Sequence, residues 1–158
     1  MAGKIKSVLF VCTGNSCRSV MAEGLLRKYL KGLGKDGIEV RSAGTSAVNG
    51  SPATKETIEV MKRELVDVSD SRSKRVNAEL IKWAELILVM EWSHRDDIIR
   101  ILPEAASKTY LLREFGMADI EHYPEGFSIP DPIGRPIQNY EYCIGMIKKE
   151  IERIARLL

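Results

Sequence analysis

Cys12 and Arg18 lie six residues apart in the run Val11-Cys12-Thr13-Gly14-Asn15-Ser16-Cys17-Arg18-Ser19. A thiol at the start of a short loop can meet a guanidinium at its end if the loop curls. Gly14 and Asn15 tolerate left-handed backbone, so the N–H groups between them and Arg18 can be turned into one hollow. The start of a following helix adds a partial positive charge. Such a hollow takes an anion, and phosphate fits it. The same field favours a thiolate at Cys12. Arg18 can grip two phosphate oxygens in a planar fork, which lysine cannot do. Ser19 can donate a hydrogen bond to the sulfur.

Other chemistries fit these residues less well. A cysteine at a strand end is often only a small buried hydrophobe; the Cys-x5-Arg-Ser string sets Cys12 apart from that case. A zinc site lacks its second ligand pair, because His94 and His122 stand far from Cys12 and Cys17 in sequence. Both histidines are expected at the surface. No Gly-Lys-Ser/Thr follows the loop, which excludes a Walker-type nucleotide site.

The loop needs a strand before it and a helix after it. Ser7 to Val11 is a short β-rich run suited to burial on both faces. From Cys17 onward, Ala22, Leu25, Leu26, Tyr29, Leu30 and Leu33 recur at helical spacing. Strands are also expected at Ile38–Arg41, Leu86–Met90 and Thr109–Leu112. A helix opened by Pro52 and another over about 93–102 lie between them. The stretch 115–135 reads as loop, broken by Pro124, Gly126, Pro130, Pro132 and Gly134. Ile137, Tyr140, Ile144, Ile147, Ile151 and Ile154 mark one long amphipathic helix at the end of the chain. Strands alternating with helices imply an α/β domain of three layers, a four-stranded parallel sheet with helices on both faces. Ligands of such sheets bind at the carboxyl ends of the strands, which is where the Cys12 loop begins.

At 158 residues the chain suits one domain. A net charge of +2 argues against a nucleic-acid partner. No apolar run is long enough for a signal peptide or a membrane span. Three cysteines, an odd and sparse set, exclude a disulfide framework and favour the cytoplasm. Residues 1–75 hold 14 basic and 8 acidic side chains, against 10 and 14 in residues 76–158. The positive half is expected to surround the anion.

Val8 to Ser19 with Met21-Ala22-Glu23, then Ser42-Ala43-Gly44-Thr45, then Asp131-Pro132, resembles the low-molecular-weight protein tyrosine phosphatases along nearly the whole chain. The resemblance implies that Cys12 attacks phosphorus and forms a phosphocysteine. It implies that Arg18 and the N–H groups of Thr13, Gly14, Asn15, Ser16, Cys17 and Arg18 hold the phosphoryl oxygens. It makes Asp131 the acid for the leaving group and then the base for water. It makes Ser42 a support for Asn15, and it implies that Cys17 can trap oxidised Cys12 as a reversible disulfide. Cys143, alone on the last helix, is expected to pack. No metal or cofactor is called for; the substrate is a phosphorylated protein and phosphate is the product.

Three positions depart from the tyrosine-directed pattern. Ser71 stands where family members often carry a histidine, and Ile133 where many have an aromatic. Thr13 replaces a bulky aliphatic residue and resembles the protein arginine phosphatase branch, which favours phosphoarginine over phosphotyrosine. Two other functions compete. A thioredoxin-coupled arsenate reductase shares the loop but needs two further cysteines suitably placed. A phosphate-binding module without turnover has no need of Asp131.

Overall fold

The computed structural model describes residues 4–117 and 126–158. Strand β1, Ser7–Cys12, is buried at every position. Its side chains alternate between two cores. Val8 and Phe10 join one apolar cluster, and Leu9 and Val11 join the other. That is why the run is continuously apolar rather than alternating. β1 pairs in parallel with β2 (Glu39–Gly44) on one side and with β3 (Leu86–Val89) on the other. β4 (Thr109–Leu111) adds in parallel to β3, giving the order β2-β1-β3-β4.

Helices α1 (Arg18–Gly32), α2 (Lys55–Arg63) and α5 (Ile137–Leu157) bury apolar residues in the first cluster; α3 (Ala78–Trp83) and α4 (Trp92–Ile101) cover the second. The result is the expected single domain, with a four-stranded parallel sheet between two helical layers. The final helix follows the stripe read from the sequence, with Tyr140, Ile144, Ile147, Ile151 and Ile154 buried. Among the described residues no helix is long and apolar enough to cross a membrane.

Three elements differ from the expectation. β2, expected at Ile38–Arg41, runs from Glu39 to Gly44, because parallel pairing with Phe10, Val11 and Cys12 carries it on. α2 starts at Lys55 rather than at Pro52, because Thr54 caps it: the Thr54 hydroxyl accepts the Thr57 N–H at 3.2 Å. Pro52 instead bridges Arg72 from outside the helix. Helix α3 has only six residues, too few for a helical period to show. It is fixed by Asn77, whose side chain accepts the Leu80 N–H at 2.8 Å. His122 and Pro124 lie outside the described residues.

The carboxyl edge of the sheet sets the path of the 12–18 loop. Thr45 N–H donates to the Cys12 carbonyl and Ser46 N–H to the Thr13 carbonyl, both at 2.9 Å. This clamps the loop onto the end of β2. Gly44 lies directly beneath: a Cβ there would sit 2.4 Å from the Thr13 carbonyl oxygen and 2.9 Å from the Asn15 nitrogen. Both are backbone atoms and neither can swing aside. Gly44→Ala should therefore push the loop outward, costing about 1–3 kcal/mol of stability and a larger share of activity. Urea unfolding alongside turnover checks this; a variant equal to wild type in both would show that the contact is not tight.

Candidate active site

The loop from Cys12 to Arg18 owes its shape to Asn15. This residue has φ +53°, a left-handed conformation that asparagine tolerates better than most. Its side chain is buried and saturated. Nδ2 donates to Ser19 Oγ at 2.7 Å and to Ser42 Oγ at 3.0 Å, and Oδ1 accepts the Lys74 N–H at 2.9 Å. The backbone of Lys74 thus completes the support, and Ser71 adds no side-chain hydrogen bond to it.

Cys12 Sγ lies 2.9 Å from Ser19 Oγ and 3.3 Å from the Asn15 N–H, and the residue is 2% exposed. Asn15 fills one lone pair of Ser19, which leaves the hydroxyl hydrogen for the sulfur. Arg18 is 1% exposed. Its Nη1 donates to Glu91 Oε2 at 2.6 Å and to the Ile129 carbonyl at 2.7 Å, so both Nη1 hydrogens are spent. Nη2 makes only long contacts, 3.4 Å to Thr13 Oγ1 and 3.5 Å to Asp131 Oδ2. The Nε–Nη2 edge is therefore the side of the fork left for an anion. Burial alone would lower the Arg18 pKa, but Cys12, Glu91 and Asp131 outweigh it and hold the pKa above its usual value.

Asp131 reaches the same place from the segment before α5. Its Oδ1 accepts the Ile133 N–H at 3.1 Å, which orients the carboxylate. Asp131 and Ile133 face Cys12, Thr13, Gly14 and Arg18 across a pocket of about 140 Å³. That is far below the ~300–1,000 Å³ of a pocket for a whole small molecule. It admits a phosphoryl group and leaves the rest of a substrate outside, against Ile133. The Cys12 thiol, the Arg18 fork and the Asp131 carboxyl converge on this pocket, an arrangement that can hold and transfer a phosphoryl group.

Some expectations need correction. Arg18 is the one cation among the described residues that line this pocket. The other cations of the first half do not surround it: Arg27, Arg41, Arg72 and Lys74 line a separate hollow of about 430 Å³ behind Asn15 and Ser42, shared with acidic side chains. His94 is not a surface residue. It is 1% exposed, with Nε2 2.8 Å from Thr13 Oγ1. Glu91, the direct partner of Arg18, was not among the residues singled out from the sequence. Both sit just past the carboxyl end of β3, beside β1, and that position was the available signal.

Cys17 is buried with weak sulfur contacts to Thr54 and Tyr140, at 3.6 and 3.8 Å. Cys143 belongs to the core, where burial pushes its thiol up to about 12. All three cysteines are free. Among the described residues no group of three or more His, Cys, Asp or Glu side chains could hold a metal ion.

His94 makes a pH-dependent contribution to stability. Burial, and then Arg18, lower its pKa from 6.5 to about 4. Between these values the unfolded chain binds a proton that the folded chain refuses. Stability should therefore fall as pH drops from about 6.5 toward 4, by up to roughly 3 kcal/mol from this residue. Above pH 6.5 the effect vanishes. Wild type and His94→Gln, unfolded in urea across that range, should diverge in slope; parallel curves would mean that the imidazole is not held neutral.

The sequence and fold agree with those of known proteins. Residues 7–158 match the family model described as low molecular weight phosphotyrosine protein phosphatase. A protein-arginine-phosphatase of Geobacillus stearothermophilus is 38% identical, the match covering 96% of this chain and 95% of that one. The crystal structure of a low molecular weight protein tyrosine phosphatase from T. tengcongensis is 40% identical, with a TM-score of 0.86 and coverage of 96% and 99%. A cysteine-to-serine mutant of the YwlE arginine phosphatase, bearing a phosphorylated active site serine, superposes with a TM-score of 0.87 at 28% identity, over 96% of this chain and 95% of that one. By its sequence and its fold, the chain belongs to the low molecular weight phosphotyrosine protein phosphatases, a family of hydrolases.

Proposed function

We propose that the protein removes phosphoryl groups from protein side chains through a phosphocysteine on Cys12, and that it prefers phosphoarginine to phosphotyrosine. The convergence of Cys12 Sγ, the Arg18 fork and Asp131 on one phosphoryl-sized pocket carries the reading. Cys12 thiolate attacks phosphorus. The bond from phosphorus to the leaving oxygen or nitrogen breaks, and Asp131 gives that atom its proton. Arg18 and the loop N–H groups hold the three equatorial oxygens as charge redistributes. Water then attacks the phosphocysteine and gives its proton to Asp131; phosphate leaves and the thiolate is restored. The phosphorylated active site serine of the YwlE mutant supports a covalent step at the corresponding position.

Thr13 and Ile133 support the preference. Thr13 offers a hydroxyl on the pocket wall, where a guanidino group has N–H donors to satisfy. Ile133, 54% exposed at the rim, gives an aromatic ring no stacking partner. The names of the relatives point both ways, and these two residues support the phosphoarginine reading. Three unpaired cysteines suit a cytoplasmic enzyme. A disulfide relay of the arsenate reductase type has little to work with, because Cys143 is packed in the core.

Phosphate release from para-nitrophenyl phosphate should vanish in Cys12→Ser; retained turnover would exclude the covalent route. Asp131→Asn should lower turnover by roughly 10²–10⁴ while phosphate still binds; an unchanged rate would remove Asp131 from its role. In a side-by-side assay, a phosphoarginine peptide should be cleaved faster than the matching phosphotyrosine peptide. The reverse order would overturn the preference and leave the phosphatase chemistry standing.

A further inference from the structure

His94 ties the start of its own helix to the loop that lines the pocket. It is the third residue of α4 and is almost fully buried. The backbone N–H of Glu91 donates to its Nδ1 at 3.1 Å. A backbone N–H can only donate, so Nδ1 carries no proton. The proton of the neutral ring is then on Nε2, which lies 2.8 Å from Thr13 Oγ1. The ring therefore donates and the threonine accepts. The ring is neutral because burial and the nearby Arg18 oppose a second positive charge.

This fixes what Thr13 can offer. A hydroxyl has two lone pairs and one hydrogen. One lone pair is taken by His94. The other faces Arg18 Nη2 through a long 3.4 Å contact, which gives way when Nη2 turns to a phosphoryl oxygen. Bound substrate then meets one acceptor lone pair and one O–H, both held in a set direction by the imidazole. A phosphoarginine side chain carries N–H groups beside its phosphorus and can fill that lone pair. A phosphotyrosine ring presents C–H there and cannot.

We propose that His94 is a positioning residue for substrate choice: by donating from Nε2 to Thr13 it aims the threonine lone pair at the leaving group and so favours N-phosphorylated guanidine over aryl phosphate. The proposal rests on the phosphatase reading above. Positions 13 and 94 are then one unit. Removing the Thr13 hydroxyl strands a buried ring N–H, and removing the ring frees the hydroxyl to rotate.

The test compares kcat/KM for matched phosphoarginine and phosphotyrosine peptides in wild type, Thr13→Val, His94→Ala and the double variant. Para-nitrophenyl phosphate serves as the measure of basic turnover. Each single variant should lower the phosphoarginine-to-phosphotyrosine ratio by about three- to tenfold, and the double variant should lower it no further. His94→Gln, whose amide can still donate, should recover part of the ratio. Additive losses, or an unchanged ratio in an active His94→Ala, would overturn the proposal. If His94→Ala does not fold, nitrogen-15 NMR of wild type and Thr13→Val decides. The proton should sit on Nε2, and its resonance should shift when the hydroxyl is removed. A proton on Nδ1, or no shift, would overturn it. A wild type that releases no phosphate from para-nitrophenyl phosphate would instead sink the phosphatase reading itself.

Discussion

A guanidinium that is 1% exposed dominates this structure. Taking such a charge out of water costs several kcal/mol unless it is paired and hydrogen-bonded. Three separate segments meet to supply partners for Arg18. The β3–α4 turn brings Glu91, the 126–136 segment brings the Ile129 carbonyl and Asp131, and the loop itself brings Thr13. Both short bonds fall on Nη1. The fork is thereby held from behind, and its other edge stays open to the pocket. An arginine satisfied evenly on all sides would be as stable and would have nothing left to bind with.

The parallel sheet makes that meeting possible. β1 is central, so its carboxyl end is flanked by the ends of β2 and β3. Gly44 closes the register on one side: Cys12 pairs with it, and the loop backbone rests where its side chain would have been. On the other side Val11 pairs with Val89, one residue before Met90 and two before Glu91. The loop's left-handed residue, Asn15, is then tied to both β2 and the 72–75 strap through Ser42 and Lys74. A strained backbone position of this kind persists when its surroundings over-determine it. Here three hydrogen-bonding groups around one amide side chain do so.

Much of this could be read from the sequence because local rules sufficed. Unbroken apolar runs marked β1 and β3, a 3–4 spacing marked α1 and α5, and the loop carried its thiol and fork within seven residues. What escaped depended on contacts between distant segments. Glu91 and His94 look like ordinary helix-start residues until the register brings β3 beside β1. His94 in particular reads as a surface residue, since polar side chains usually are, yet both its ring nitrogens find partners inside, in Thr13 and the Glu91 N–H. The charge asymmetry misled for a related reason. A count of cations says nothing about which face they occupy, and four of them line the hollow behind the loop rather than the pocket in front of it. Pro52 yielded to Thr54 because a side-chain cap defines a helix start more strongly than a permitted proline.

The pocket's own charge explains why it holds a carboxyl group at all. Among the described residues a single cation there, Arg18, faces Glu91, Asp131 and Cys12, which in the proposed mechanism attacks as a thiolate. Backbone N–H groups and the start of α1 offset only part of that negative charge. An arriving phosphoryl group adds more. Like charges this close cannot all persist, so substrate enters most easily with a proton. In the proposed mechanism Asp131, whose Oδ2 lies 3.5 Å from the Arg18 fork, is placed to pass a proton to the leaving atom. The same placement serves the second half of the proposed reaction: a carboxylate beside the phosphocysteine can take a proton from the attacking water. In that mechanism one carboxyl group links departure and hydrolysis.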